Sequence, residues 1–344
     1  MDDTEVRVLV TGSTGLVGNA IKDLLNSNFG PLQHPWGNTT RNPGVGANVF
    51  KINEYTWYFL DRKTQAWDLR NDHHVDTVFK NFKPHIVIHL AAKVGGLYGN
   101  MSSNYTMLVD NLKINTNILE SCKKYKVTRV INILSTCVFG NDLKYPLTSD
   151  QMYNAQPDTS NEGYSYSKRL LDTGSRLLSK EIEIEIVNII PTNLMGFEDN
   201  FNLENGHVLP GLVHKCFIAK KDNTPLIIRG MGKSRRQFVY AADFARIIVH
   251  FVDCELQKNF NQLIVGPPIE DEITIKELVN KIVKEFEFNG EIIYDSSFPE
   301  GQYKKTVSNS ELLEYIPGFK FTPLDVALKE TIKYFIKNYN TIRK

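Results

Sequence analysis

Short apolar runs alternate with longer amphipathic stretches through the N-terminal part of the chain. The apolar runs lie at 6–11, 56–60, 85–91, 129–135 and 184–191. The stretches in which apolar residues recur with helical spacing lie at 16–25, 72–82, 103–124 and 163–180. Ile86, Val87 and Ile88 are consecutive apolar residues, which is typical of a strand covered by helices on both faces of a parallel sheet. The pattern therefore predicts an α/β fold with a doubly wound parallel sheet.

The pattern changes after Pro191. Loops rich in Asn, Gly and Pro precede a helix-like stretch and a strand at 225–229, and the elements are mixed from there to the C-terminus. We expect a larger domain and a smaller C-terminal α/β lobe. The larger domain comprises 1–191 and a returning segment at about 238–256. The smaller lobe comprises about 192–237 and 257–344. Such a lobe would close over the carboxyl edge of the sheet, where ligands bind in these folds. Residues 31–55 are expected to form a long surface loop.

Composition and charge narrow the classes of function. The 344 residues are 42% hydrophobic and 23% charged, which is ordinary for a soluble globular protein. Forty basic and thirty-nine acidic residues leave a net charge of +1, so neither nucleic acid nor a membrane is expected as a partner. No apolar run has the length of a membrane span, and no signal-peptide pattern is present. The four scattered cysteines lack a Cys-x-x-Cys spacing, so we expect reduced thiols, a cytoplasmic location and no metal site.

A glycine-rich turn follows the first predicted strand and opens the first predicted helix. Glycines there let the backbone approach a pyrophosphate, whose charge is favoured at a helix N-terminus. The spacing is Gly-x-x-Gly-x-x-Gly, and a tight turn that needs glycine only for packing is the alternative. The turn predicts dinucleotide binding by Gly12, Ser13, Thr14, Gly15, Leu16, Val17 and Gly18.

The end of the second predicted strand bears on the choice between NAD and NADP. Asp61 would bind the ribose hydroxyls of NAD, whereas Arg62 and Lys63 would bind the 2′-phosphate of NADP. The two basic residues favour NADP, and a solvated strand end without a binding role stays open as the alternative.

Tyr164 and Lys168 are four residues apart on a predicted helix and therefore share one face. A cation beside a phenol favours the phenolate, which brings a group with a pKa of about 10 closer to neutrality. Ser135 ends an apolar strand about thirty residues earlier, where its hydroxyl could polarise a substrate carbonyl. Together with the glycine turn these residues predict a catalytic site, and a surface Tyr and Lys pair is the alternative.

These motifs, together with Leu90, Ala91 and Ala92, resemble the extended short-chain dehydrogenase/reductase family, whose members act on nucleotide sugars. Within it, the chain resembles the GDP-L-fucose synthase family over essentially its whole length outside 31–55. The matching segments are 91–96, 134–137, 163–169, 191–194, 199–202, 206–212, 235–238 and 301–306. The resemblance implies a Rossmann-type domain that binds NADP and a C-terminal lobe that binds the substrate.

The resemblance also implies an activity and the residues that perform it. The family converts GDP-4-keto-6-deoxy-D-mannose to GDP-L-fucose with NADPH, by epimerising carbons 3 and 5 and then reducing carbon 4. The resemblance makes Cys137 the base and His207 the acid of the epimerisation, while Tyr164 protonates the carbon-4 oxygen. The implied NADP contacts outside the glycine turn are Asp68, Leu69, Leu90, Ala91, Ala92, Ser135, Thr136, Tyr164, Lys168, Pro191, Thr192, Asn193, Leu194 and His207. The implied contacts to the GDP-sugar are Asn193, Lys215, Arg229, Arg236 and Glu300, of which Arg229 stands where the family usually has a tryptophan.

Members of this family pair as homodimers through two helices of the nucleotide-binding domain. In this chain those helices correspond to 103–124 and 163–180. Their apolar residues could form that interface or belong to the core, and the apolar positions in question are Leu112, Ile118, Leu119, Leu170, Leu171, Leu177 and Leu178.

Two other functions stay open. One is another nucleotide-sugar enzyme of the same superfamily, a 4-epimerase or a 4,6-dehydratase. A dehydratase would be expected to carry an Asp-Glu pair where Thr136 and Cys137 stand. The other is a dinucleotide-binding scaffold without catalysis, which the loss of Ser135, Tyr164 or Lys168 would have favoured.

Overall fold

The computed structural model describes residues 5–26, 49–52, 54–61, 67–298 and 301–344. Its strands are β1 (Val6–Thr11), β2 (Val49–Ile52), β3 (Tyr55–Phe59), β4 (Ile86–His89), β5 (Arg129–Ile133), β6 (Glu185–Pro191), β7 (Asn193–Met195), β8 (Leu226–Arg229), β9 (Arg235–Arg236), β10 (Phe238–Tyr240), β11 (Phe260–Val265), β12 (Ile273–Thr274) and β13 (Ile292–Asp295). Its helices are α1 (Leu16–Asn26), α2 (Asp72–Phe82), α3 (Leu97–Ser102), α4 (Asn104–Lys124), α5 (Glu162–Glu181), α6 (Val208–Asp222), α7 (Ala241–Asp253), α8 (Ile275–Phe286), α9 (Ser310–Tyr315) and α10 (Leu324–Lys337). Among these helices, none combines the length and the apolar character needed to cross a bilayer.

The main sheet of the described residues has seven strands in the order β11-β6-β5-β4-β1-β3-β2. Every neighbouring pair is parallel except β2 and β3, which run antiparallel. The predicted doubly wound parallel sheet is therefore confirmed. The long surface loop expected at 31–55 is shortened by β2 and the start of β3, and its residues 31–48 and 53 lie outside the described residues.

Both faces of the sheet are covered by helices, and β1 shows how the sequence achieves this. Val8 and Val10 pack on one face with apolar residues of α1 and α7. Leu9 points to the other face and packs with residues of α2, α4 and α5. Each fully buried aliphatic side chain of this kind contributes about 1.5–3 kcal/mol relative to an exposed one, so a continuous apolar run is stable only with helices on both sides.

A second apolar core is formed by residues that follow β6 in the sequence. It joins helices α6, α8 and α10 through residues such as Leu212, Leu278 and Phe335. Strands β8 and β13 pair in parallel beside it. In the main sheet β11 pairs with β6, so the returning segment reaches Val265, beyond the expected limit of about 256. The two-domain division, with β11 added to the first domain, stays a proposal.

The turn after β1 brings the start of α1 to the carboxyl edge of the sheet. Gly12 adopts a left-handed φ of 68°. A Cβ atom on Gly12 would lie 2.8 Å from the backbone nitrogen of Ala91, which follows β4. The residue must therefore be glycine both for its backbone conformation and for its close approach to the neighbouring strand. The backbone N–H of Gly15 donates to the Gly12 carbonyl at 3.1 Å and closes the turn.

Candidate active site

A cleft of about 1220 Å³ lies between the carboxyl edge of the sheet and the second apolar core. Most of the residues singled out from the sequence line it, and these are Gly12, Thr14, Gly15, Leu16, Val17, Gly18, Asp68, Leu69, Leu90, Ala91, Ala92, Ser135, Thr136, Cys137, Tyr164, Lys168, Pro191, Thr192, Asn193, Leu194, His207, Lys215, Arg229 and Arg236. Ser13 does not line the cleft, because its hydroxyl donates to the Leu60 carbonyl at 2.8 Å. Arg62, Lys63 and Glu300 lie outside the described residues.

One end of the cleft suits a dinucleotide. The first turn of α1 forms part of its wall, and positions 12 and 15 present no side chain there. Backbone N–H groups at a helix N-terminus carry partial positive charge and lack partners within the helix, so they favour a pyrophosphate. Leu90, Ala91 and Ala92, which lie against the glycine turn, also line this end of the cleft. The residues present therefore fit the predicted cofactor.

A buried chain of hydrogen bonds connects the glycine turn with α5. The Asn115 amide nitrogen donates to the Ser167 carbonyl at 3.2 Å, so its oxygen faces the His89 Nε2 at 3.1 Å as an acceptor. Nε2 must then carry the proton, and Nδ1 accepts from the Thr11 hydroxyl at 3.0 Å. The Thr11 oxygen in turn accepts from the backbone N–H of Ala91 at 3.1 Å. Burial, reinforced by the charge of Lys168, lowers the pKa of His89 to about 3, so the ring stays neutral.

Tyr164 and Lys168 share one face of α5 and are both buried in the wall of the cleft. The Lys168 ammonium lies 5.7 Å from the centre of the Tyr164 ring and donates to the Ile133 carbonyl at 2.6 Å. Burial lowers the pKa of Lys168 to about 8. Burial also raises the pKa of Tyr164, against the expectation that the cation would lower it. The phenol therefore keeps its proton, because the loss of hydration penalises the phenolate more than this distant cation stabilises it.

Ser135 and Cys137 lie on a single 3-10 turn at the end of β5. The Ser135 hydroxyl accepts from the backbone N–H of Cys137 at 3.3 Å. Arg169 of α5 donates twice to the Val138 carbonyl, at 2.9 and 2.6 Å, and so ties this turn to the helix that carries Tyr164. Gly140 packs so closely that a Cβ would lie 2.0 Å from the Gln156 carbonyl oxygen. The turn is thus held on both sides.

His207 occupies the N-cap position of α6, without a side-chain capping hydrogen bond, and lines the cleft. The residue is exposed to the open cleft. Its protein surroundings lower the pKa of His207 through partial loss of hydration, and the positive charges of Arg343 and Lys305 lower it further. The imidazole of the free protein therefore holds a proton less readily than an ordinary histidine does.

Cationic side chains line the far end of the cleft. Burial and the charge of Arg229 lower the pKa of Lys215. The Arg229 guanidinium lies 4.8 Å from the centre of the Phe298 ring, so an arginine stacked on an aromatic ring occupies the position of the family's tryptophan. Arg236 also lines this end. Arginine forks and lysine ammonium groups are the side chains that bind phosphate oxygens, so this end fits a diphosphate.

Lys305, Asp199 and Arg343 are among the residues of the cleft that received no role from the sequence. Burial lowers the pKa of Lys305 to about 8. Lys305 lies within the matched segment 301–306, which was a usable signal. Asp199 is buried in the wall, and burial raises the pKa of Asp199 to about 7. Arg343 also lines the cleft, and nothing in the local pattern of the last helix indicates that its side chain reaches the site.

The chain is similar to known proteins over its whole length. The sequence profile of the NAD dependent epimerase/dehydratase family matches residues 8–264. The chain is 38% identical to the GDP-L-fucose synthase of Dictyostelium discoideum, an alignment that covers 98% of this chain and 97% of that protein. It is 34% identical to the probable GDP-L-fucose synthase of Drosophila melanogaster, over 98% of this chain and 99% of that protein. A crystal structure of a GDP-L-fucose synthetase from Naegleria fowleri bound to NADP superposes with a TM-score of 0.85 at 36% identity, and the match covers 99% of this chain and 96% of that chain.

We expect Asp199→Asn to change how the stability of the protein depends on pH. Burial raises the pKa of Asp199 to about 7 in the folded state, whereas an unfolded aspartate titrates near pH ~4. The protonated carboxyl therefore makes its full contribution to the free energy of unfolding below about pH 4. This contribution, on the order of 1–4 kcal/mol, is lost as the pH rises through about 7. The asparagine variant lacks this loss. Urea unfolding of both proteins at about pH 5 and pH 8 measures the difference.

A matched control is Asp222→Asn, because Asp222 is exposed and also carries one negative charge. This variant should follow the pH dependence of the unmodified protein. If Asp199→Asn followed it too, the buried carboxyl would not titrate as the structure indicates.

Proposed function

We infer, from the premise that the chain belongs to the NAD dependent epimerase/dehydratase family and within it to the GDP-L-fucose synthases, that it converts GDP-4-keto-6-deoxy-D-mannose to GDP-L-fucose with NADPH. The observation that carries the proposal is that one cleft collects Cys137 and His207 as well as Tyr164 and Lys168. A reductase alone would need only the second pair. The four groups together supply both the proton transfers of an epimerisation and the proton of a reduction.

The epimerisation requires acidic protons beside a ketone. Hydrogens at carbons 3 and 5 are acidic because the resulting enolate places its charge on the carbon-4 oxygen. Ser135 and Tyr164 both line the cleft and can donate hydrogen bonds to that oxygen, which lowers the energy of the enolate. Cys137 removes each proton, and His207, in its protonated form, returns one to the opposite face of the sugar. Between the two carbons, exchange with solvent takes the proton from Cys137 and restores the one on His207. A separate base and acid are needed because the configuration must invert.

The reduction requires a proton donor for the carbon-4 oxygen. Tyr164 fills this role because burial raises its pKa and keeps the phenol protonated until the alkoxide forms. Lys168 lies on the same face of the helix and stabilises the phenolate that remains. When bound, NADPH supplies the hydride for carbon 4. The glycine turn, Leu90 to Ala92 and Pro191 to Leu194 would hold it.

The cationic end of the cleft fits the nucleotide part of the substrate. Lys215 and Arg236 offer charge-assisted hydrogen bonds to a diphosphate. Arg229, stacked on Phe298, presents a flat cation rather than the family's tryptophan and keeps a surface against which a planar base can lie.

The direct test mixes the purified protein with NADPH and GDP-4-keto-6-deoxy-D-mannose. We expect loss of the nicotinamide absorbance and the appearance of GDP-L-fucose as the product on chromatography. A reduced sugar that is not epimerised would remove the roles of Cys137 and His207. Binding of NADPH without its oxidation would favour the scaffold, and tightly retained oxidised cofactor in the purified protein would favour a 4-epimerase.

Two substitutions should separate the epimerisation from the reduction. Cys137→Ser should slow the exchange of the carbon-3 and carbon-5 protons with D2O by about 100-fold or more, because the base is lost. Tyr164→Phe should slow NADPH oxidation by a similar factor while exchange continues, because Ser135 still polarises the ketone. NMR of the sugar and nicotinamide absorbance measure the two rates. Cys254→Ser, a cysteine outside the cleft, serves as the control, and equal loss of both rates in Tyr164→Phe would contradict the separate roles.

We also propose that the protein forms a homodimer through α4 and α5. Ile118, Leu171 and Leu178 belong to the core, whereas Leu170 and Leu177 are about half exposed and lie seven residues apart on the outer face of α5. Tyr105 of α4 is 78% exposed as well. Sedimentation velocity should show a dimer of the 39.3 kDa chain, and the double change Leu170→Glu and Leu177→Glu should yield monomers.

The control for this experiment is Val326→Glu, which places the same charge on an exposed apolar position of α10. A dimer that persists in the α5 double variant would contradict the proposed interface.

We further propose a cytoplasmic location, supported by the four free cysteines of the described residues and testable by cell fractionation.

A further inference from the structure

The segment that follows α10 turns back onto the cleft. Ile342 is buried in the second apolar core, and its backbone N–H donates to the Asn338 carbonyl at 3.0 Å. The carbonyl of Arg343 accepts from the backbone N–H of Phe201 at 2.9 Å. Arg343 is therefore held by its own backbone against the loop that leads to His207, and its side chain lines the cleft.

Next to Arg343 lies a carboxyl group whose hydrogen bonding is incomplete. Asp199 is 4% exposed and lines the same cleft. One of its oxygens accepts from the backbone N–H of Asn200 at 2.7 Å, while its Oδ2 has no hydrogen-bond partner among the described residues. Buried polar atoms rarely remain without a partner, so this oxygen and the cation beside it point to a ligand that supplies both an acceptor and a donor.

Arg343 belongs to a different part of the cleft from the other arginines. The electrostatic neighbours of Arg343 are Asp199 and His207. Arg229 instead acts on Lys215, and Arg236 acts on Lys305. Lys305 connects these two sets of residues, because the charge of Arg236 acts on Lys305 and the charge of Lys305 acts on His207. The charge of Arg343 therefore acts on the proposed acid of the epimerisation.

We propose that Arg343 is a further substrate-binding residue, which donates to an oxygen of the keto-hexose on the His207 side of the ring, while Asp199 accepts from a sugar hydroxyl. The inference rests on the proposed function and names the sugar end of the substrate. A guanidinium offers several donors in a fixed plane, and the carboxyl oxygen of Asp199 that lacks a partner can accept a hydrogen bond. Together they would hold one face of the sugar toward His207 while its other face meets Cys137. A charge-assisted hydrogen bond of this kind changes affinity by roughly tenfold to a hundredfold.

The test compares Arg343→Ala, Arg343→Gln and Arg343→Lys with the unmodified protein. We expect the alanine and glutamine variants to lower kcat/KM for GDP-4-keto-6-deoxy-D-mannose by about 10- to 100-fold and the lysine variant to recover part of the loss. The affinity for GDP alone, measured by calorimetry without cofactor, should stay within about twofold, because GDP lacks the sugar. Thermal unfolding confirms that each variant is folded, and the backbone bond to Phe201 is retained in all of them.

Lys344→Ala is the matched control. Lys344 carries the same charge one residue later, but it donates to the Tyr339 carbonyl at 2.7 Å and does not line the cleft. This variant should keep kcat/KM within about twofold. Arg343 variants that also stay within twofold would overturn the inference, and so would a loss of GDP affinity as large as the loss of kcat/KM. Absence of turnover in the unmodified protein would overturn the proposed function itself, and with it the sugar assignment.

Discussion

The arrangement of the cleft depends on the neutral ring of His89. This histidine joins the Thr11 hydroxyl at the glycine turn to the Asn115 amide, and Asn115 reaches the backbone of α5 beside Lys168. Each such bond contributes only about 0.5–1.5 kcal/mol, but a buried group left without its partner costs more. A charged His89 could not accept from Thr11, so the chain of bonds holds because burial keeps the ring neutral.

Burial governs the charge state of the site as a whole. It lowers the pKa values of Lys168 and His207 and raises those of Tyr164 and Asp199, so each group is pushed toward its neutral form. Arg229, Arg236 and Arg343 in the cleft wall carry positive charge. A diphosphate bound near Arg236 would offset the positive charge of Lys305 that acts on His207, which would help this residue to hold a proton during the proposed epimerisation.

Most strands of the sheet could be predicted from the sequence, because the apolar pattern of a strand depends only on neighbouring residues. Apolar runs with glycine-containing turns predicted β1, β4, β5 and β6 to within a few residues. The expected effect of Lys168 on Tyr164 was wrong, because spacing along a helix shows which residues share a face but not how much water they lose. Ser13 illustrates the same limit, since a turn residue can use its hydroxyl for packing rather than for a ligand.

The sequence by itself determined the fold class, the glycine turn and the Tyr164 and Lys168 pair, because each depends on residues close together in the chain. Only the tertiary structure decided that Arg343 and Asp199 share a wall with His207, since Arg343 and Asp199 are separated by most of the second lobe in sequence. It also decided that Arg229 stacks on Phe298. Contacts of this kind arise from the packing of whole elements, and no local spacing of apolar and polar residues encodes them.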